Sequence, residues 1–362
     1  MTSAALPERP TSPEALAGIL AEASAAGAQV QLIGSGSMSG AALAPAWPIR
    51  AVSTLRMNAL VAHDAATLVV TARAGMSLGD LQRHLGWHNQ WLPVDPPACN
   101  GRMGMQRTLG GLIATDSLGP LRAGFGDWHV HLLGARYIDS TGNIAAAGAR
   151  DLIGSAGRAG AIAEVTLRTA PRPADEQCAL FYCPTEFHAA CLVAGVMAPG
   201  SAPAYVQLIG GETFAHNSLS LPAPPRGFQL LAVGFLGEAE ACAANVAALR
   251  ALPAARDLES IPLHAAQAGR LRLWMTSEPL AAASFRLRLR ADQVPAAISA
   301  IEQLADHNRI RVFLVAEAST AVIRGSMHTA STPAIAALRL LAAALHAELQ
   351  IVALDPPAGT SL

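Results

Sequence analysis

The loop Gly34-Ser35-Gly36-Ser37-Met38-Ser39-Gly40 follows directly on the apolar stretch 29–33 and sets glycine amides and serine hydroxyls side by side. Such a loop can cradle phosphate oxygens through its backbone N–H groups. A second turn, Thr108-Leu109-Gly110-Gly111, opens an apolar segment that ends at Thr115, and amides exposed at a helix start form an anion site. The first loop is not the opening of a dinucleotide-binding Rossmann unit. Pro45 and Pro48 forbid the helix that such a loop must start, and Arg50 and Arg56 stand where an acid is required about 20 residues downstream. By itself the loop reads either as a phosphate cradle or as a surface turn.

Other residue sets offer less. His129 and His131 lie two apart on an expected strand and would share a face, and His84 and His88 lie four apart across a helix end at Gly86. No acid or cysteine stands at a helpful spacing, so both pairs read as polar packing or surface exposure and no metal site is expected. Arg286, Arg288 and Arg290 alternate with Phe285, Leu287 and Leu289. That pattern describes a solvated outer face, with a carboxylate-binding or partner-binding surface as the sharper reading. Cys99, Cys178, Cys183, Cys191 and Cys242 are odd in number and contain no C-x-x-C pair, which suits buried thiols in a reducing compartment.

All 25 basic residues are arginine. Without lysine there is no P-loop, no Schiff-base enzyme and no serine–lysine hydrolase. A net charge of −1, arginines spread along the chain and an aromatic content of 4% argue against nucleic-acid binding.

The elements that must hold these residues can be read from caps and periodicity. With 362 residues, 52% of them apolar, the chain is too long for one ordinary domain, and two are expected. Ser12-Pro13-Glu14 starts a helix that Gly27 closes, and a strand follows over 29–33. Residues 68–72 and 91–94 read as strands on either side of a helix from Ser77 to Gly86. Strands over 130–138 and 144–147 flank the turn Asp139-Ser140-Thr141-Gly142-Asn143, and a further strand covers 161–169. Pro171-Arg172-Pro173 marks a boundary. Beyond it strands (179–182, 205–209, 229–235, 285–289, 310–316) alternate with helices (near 186–198, 238–252, 293–307, 333–349), an α+β pattern. The apolar C-terminal stretch 334–354 is broken by Arg339, His346, Glu348 and Gln350, so no membrane span is expected. No basic start precedes an apolar core near Met1, which points to a cytoplasmic address.

The strand and Gly34–Ser39 loop, the run from Asp64 to Gly75, Leu92-Pro93-Val94-Asp95-Pro96-Pro97, Thr108-Leu109-Gly110-Gly111 and Gly119-Pro120-Leu121-Arg122 occur in that order. This order resembles the FAD-binding domain of the vanillyl-alcohol-oxidase/p-cresol-methylhydroxylase (PCMH) family, and within it the FAD-binding accessory subunits of glycolate oxidases. The resemblance implies an α+β fold with a PCMH-type FAD-binding domain of two α/β subdomains over 1–173. A cap domain with an antiparallel sheet covered by helices, for substrate or partner, would occupy 174–362. It implies that Gly34, Ser35, Gly36, Ser37 and Ser39 clasp the FAD pyrophosphate from one side and Thr108, Gly110, Gly111 and Thr115 from the other. Pro97, Gly119 and Arg122 fall in motifs of the same series, and Gly157, Gly160 and Ile162 match the segment along adenine and ribose. The glycine loop carries no histidine to tether the ring, so the flavin is expected to be noncovalent.

The chain departs from the family where the ring would lie. Gly126-Asp127-Trp128-His129-Val130 has valine at the position of a familial aspartate, and the stretch between Gly148 and Asp151 is short. Oxidation of a 2-hydroxy acid needs a base and an arginine, yet residues 312–327 hold only Glu317 and Arg324 as ionisable groups, with His307 before and His328 after. The resemblance therefore implies an accessory role. A catalytic FAD subunit and an iron–sulfur subunit would be partners, with a small 2-hydroxy acid as substrate of the complex, electrons leaving toward a quinone, and any inner-membrane attachment coming through those partners. The alternative is a structural subunit that has kept the fold and lost FAD.

Overall fold

The computed structural model describes residues 6–36, 49–98, 103–198, 202–277, 281–329 and 331–354. Ser37, Ser39 and Cys99 lie outside the described residues. The chain divides into two compact units, Met1–Gly119 with Phe125–Arg172, and Pro120–Gly124 with Pro173–Leu362. The short segment Pro120–Gly124, expected in the first domain, groups with the second unit. No helix among the described residues is long and apolar enough to cross a membrane.

In the first unit, α1 (Pro13–Ala25) starts where the Ser12 hydroxyl accepts from the Ala15 amide at 3.2 Å. Its Leu16 and Leu20 pack with Val52, Met57, Ile138, Ala161 and Ala163. β1 (Gln29–Ile33) pairs in parallel with β2 (Ile49–Ser53) and, among the described residues, with no other strand. There follow β3 (Leu60–Asp64), β4 (Val69–Arg73), α2 (Leu78–Gly86), β5 (Gln90–Trp91), α3 (Leu109–Ala114), α4 (Arg122–Phe125), α5 (Trp128–His131), β6 (Leu132–Ile138), β7 (Ile144–Ala147), α6 (Ala149–Leu152), β8 (Ala161–Arg168) and β9 (Ala170–Pro171). Five strands form an antiparallel sheet in the order β3-β4-β8-β6-β7. The parallel Rossmann arrangement is thus absent, because β1 and β4 belong to different sheets. Leu78, Leu81 and Leu85 of α2 and Leu109, Leu112 and Ile113 of α3 are buried with Val70, Val165 and Leu167. Each such side chain contributes about 1.5–3 kcal/mol on leaving water.

Two expected strands change form. Residues 128–131 make one helical turn, because Asp127 caps it by accepting from the His129 amide at 2.9 Å, and the strand starts only at Leu132. His129 is exposed and His131 buried, so they do not share a face. The strand expected over 91–94 is limited to Gln90–Trp91, since Pro93 has no N–H to donate.

The second unit contains β10 (Asp175–Cys183), α7 (Glu186–Val196), β11 (Tyr205–Gly210), α8 (Gly211–Ala215), β12 (Gln229–Gly237), α9 (Ala239–Arg250), β13 (Ser260–His264), α10 (Ala265–Thr276), β14 (Ala283–Arg288), α11 (Val294–His307), β15 (Val312–Glu317), β16 (Val322–Met327), α12 (Thr332–Ala344) and β17 (Glu348–Leu354). Its eight strands form one antiparallel sheet, β13-β10-β12-β11-β15-β16-β14-β17. Read in chain order this is two βαββαβ units laid edge to edge. They join where Gln207, Leu208 and Ile209 pair with Glu317, Ala316 and Val315. Helices α7, α9, α11 and α12 supply Leu192, Leu249, Ile298 and Leu338 to one apolar core with the strands. Across the sheet, the Phe285 and Tyr205 rings lie over Gly325 and Gly234, where an added Cβ would strike them.

The last helix stops at Ala344 rather than 349. His346 adopts φ 51°, a left-handed value that ends helices, and Glu348 begins β17. Helix α10 and strands β13, β16 and β17 were not expected from the sequence.

Within this unit the Glu302 carboxylate accepts from the Glu212 amide at 3.1 Å. Burial pushes its pKa from 4.5 up to about 7, against the pull of the Glu212 amide. Between those two values the folded chain holds a proton that the unfolded chain has released, so stability falls as pH rises through the window. Glu302→Gln is expected to remove that fall, gaining on the order of 2 kcal/mol above pH 7 and nothing below 4.5, as read by thermal denaturation across pH.

Candidate functional site

Ten of the residues singled out in the sequence come together. Gly34, Ser35, Gly36, Thr108, Gly110, Gly111, Thr115, Gly157, Gly160 and Ile162 line one cavity of about 500 Å³ in the first unit, with Val30, Leu32 and Arg107 among its other walls. That size lies within the range of small-molecule sites. A neighbouring cavity, lined by Asp139, Ser140 and Arg158, shares Gln29, Val30, Leu32, Gly157 and Gly160 with it.

The two glycine turns meet because they lack side chains. A Cβ on Gly34 would strike Thr108 Oγ1, and one on Gly110 would stand 2.9 Å from Ala74 Cβ. Thr108 caps α3, its hydroxyl accepting from Gly111 N at 3.3 Å. The amides of Leu109 and Gly110 donate to the carbonyls of Met76 and Ala74 at 2.9 and 2.8 Å. The expected anion site at this helix start is therefore committed to the scaffold. Ser35 and Gly36, by contrast, donate no backbone hydrogen bond among the described residues. Gly36 adopts φ 79°, a left-handed backbone value that favours glycine.

Sequence reasoning missed Arg107, and nothing in its spacing marks it. It is 2% exposed and is the one ionisable side chain in the cavity wall among the described residues. Its guanidinium donates to the Pro97 carbonyl at 3.3 Å, to Ser117 Oγ at 2.7 Å and to Thr115 Oγ1 at 3.2 Å. The Thr115 hydroxyl in turn donates to the Gly111 carbonyl at 2.7 Å. The cavity thus combines glycine turns, serine and threonine hydroxyls, apolar walls and one buried positive charge. These are the groups that a flavin dinucleotide needs: amides and a cation for two phosphate charges, and apolar surface for adenine.

Pro97, Gly119 and Arg122 stand outside this wall. The Pro97 carbonyl serves Arg107, Gly119 (φ 96°) turns against the Asp95 backbone, and Arg122 falls in the segment grouped with the second unit. The other candidates remain scattered. Burial lowers the His131 pKa, and its ring packs edge-on to Trp128 with centroids 6.4 Å apart. Arg286 is half-buried, Arg288 lies 4.0 Å from Glu348, and Arg290 pairs with Asp292 at 2.8 Å. Glu317 and Arg324 face each other at 3.9 Å.

The fold is that of the PCMH-type FAD-binding proteins. Two crystal forms of alkyldihydroxyacetonephosphate synthase superpose with TM-scores of 0.73 and 0.74 at 14% and 16% identity, over 94% of this chain and 72% of theirs. Residues 5–148, which supply most of the cavity wall, match the model of the FAD binding domain family. Among characterised proteins, glycolate oxidase subunit GlcE of Escherichia coli (strain K12) is 32% identical over 126 residues. That alignment covers 32% of this chain and 35% of the relative, so the match spans about a third of its length.

Replacing the buried cation tests how the wall is held. Arg107→Met is expected to cost about 2–4 kcal/mol in thermal or urea denaturation, because it strands the Pro97 carbonyl and two hydroxyls. Arg107→Lys should recover only part of the loss, since an ammonium cannot span three acceptors in one plane.

Proposed function

We propose that this chain is the FAD-binding accessory subunit of a glycolate-oxidase-like complex that oxidises small 2-hydroxy acids. It would hold FAD noncovalently, in company with a catalytic FAD subunit and an iron–sulfur subunit. The observation that carries the reading is the cavity of the first unit, into which both glycine turns and Arg107 converge. Ser35 and Gly36 would take phosphate oxygens, Arg107 would balance their charge from behind, and Gly157, Gly160 and Ile162 would lie along the nucleoside. FAD bound there would supply two-electron acceptance and one-electron release.

The likeness to glycolate oxidase subunit GlcE supports the accessory role. So does the character of the wall, where among the described residues one arginine and no histidine or carboxylate face the space. Such a set holds an anion and abstracts no proton. The ionisable residues of 312–327 are engaged with each other, and Arg324 also donates to the Met275 carbonyl at 3.0 Å.

The full chain, purified alone and with its partner subunits, is expected to show flavin absorbance at one FAD per chain, released intact by acid or heat. Gly34→Ala should lower FAD affinity at least tenfold by pushing the loop off Thr108. Absence of flavin absorbance, together with no uptake on titration with FAD, would establish the structural subunit instead. Oxidation of glycolate by the isolated chain at ordinary enzyme rates would overturn the accessory role.

A further inference from the structure

His84 and His88 have a third partner that their spacing cannot reveal. β3 brings His63 against the end of α2, and one imidazole nitrogen from each of the three rings lies within 4.8 Å of the others. His63 Nδ1 and His84 Nε2 are 3.1 Å apart, and the His63 and His88 ring centroids 4.7 Å apart. Nitrogens held by one tetrahedral zinc ion stand about 3.4 Å apart, given Zn–N bonds of about 2.0–2.1 Å. None of the three histidines lines the cavity described above.

The protonation of His63 follows from its neighbours. Gln90, 6% exposed, donates from Nε2 to the Ala65 carbonyl at 2.8 Å, which fixes Oε1 as its acceptor end. That oxygen accepts from Thr169 Oγ1 at 2.9 Å and lies 3.1 Å from His63 Nε2. His63 Nε2 must therefore carry the proton, and its Nδ1 lone pair faces His84. A ligating histidine is oriented in this way, by an outer acceptor on its other nitrogen. His84 lies in the last turn of α2 and His88 in the turn that follows it, its amide donating to the Leu85 carbonyl at 2.9 Å, with Leu81 and Leu85 of the helix fully buried beneath. The nearest carboxylate in sequence, Asp64, accepts from the amides of Ala66 and Thr67 and so is turned into its own loop.

We infer that His63, His84 and His88 form a binding site for a divalent transition ion of the zinc type, with a fourth position open to solvent. Three imidazoles and no carboxylate select zinc, copper or nickel over magnesium or calcium. In the metal-free chain His84 Nε2–H donates to His63 Nδ1. The ion takes the place of that hydrogen, and His84 shifts to the tautomer protonated on Nδ1. Bound metal ties β3 to the end of α2.

The test is calorimetric titration of the full, tag-free chain with zinc chloride, with cobalt(II) as a spectroscopic second probe. One saturable equivalent is expected, with a raised melting temperature and a cobalt spectrum without thiolate charge-transfer bands. His63→Asn and His84→Asn should each weaken binding at least a hundredfold, and Gln90→Leu about tenfold. His88→Ala, at an exposed position, should do so without affecting folding. FAD content should be unchanged in all four variants. No saturable binding to the wild-type chain, a thiolate band, or unaltered affinity in His88→Ala and His84→Asn would overturn the site.

Discussion

Where the turn after β1 meets the start of α3 there is no room for a methyl group, and the cavity depends on that fit. Gly34 abuts Thr108, Gly110 abuts Ala74, and the Thr108 hydroxyl fills the gap while capping its own helix. The bonds from Leu109 and Gly110 to Met76 and Ala74 fasten α3 to the loop after β4. This fastening consumes the amides that a short helix would otherwise show to a ligand. The donors that remain belong to the first turn, and the charge belongs to Arg107. A planar guanidinium suits that place, since one rigid fork reaches a carbonyl and two hydroxyls while staying ionised.

Much of this was legible in the sequence because it was written in local signals. Ser12 and Ser77 precede apolar periods as helix caps, and both cap helices in the fold. The failures have equally specific causes. Val130 sits in a β-like context, but Asp127 captures the His129 amide and a helical turn wins. His346 takes a left-handed backbone conformation that no local signal announces, and so a helix that looked continuous gives way to β17.

Tertiary facts stayed out of reach. Nothing near residue 107 marks its arginine as buried, and the separation of 21 positions between His63 and His84 hides a contact that only the meeting of β3 and α2 creates. Pro97 and Gly119 were expected at the flavin through their place in the motif series, yet neither lines the wall: the Pro97 carbonyl accepts from Arg107, and Gly119 packs against the Asp95 backbone. The duplicated βαββαβ architecture of the second unit was equally invisible, because the two copies share connectivity without a visible repeat in sequence.

That duplication has a mechanical consequence. The two halves of the eight-stranded sheet share a ladder of three paired positions, whereas β10 and β12 within one half pair over nine. At the seam Gln207 stands opposite Glu317, two buried polar side chains where apolar ones would adhere more strongly. A one-residue slip would turn every side chain of β11 to the opposite face of the sheet. The seam therefore trades cohesion for alignment. Cohesion across the seam comes instead from the helical layer, where one apolar core spans both halves and Glu302 of α11 accepts from the Glu212 amide of α8.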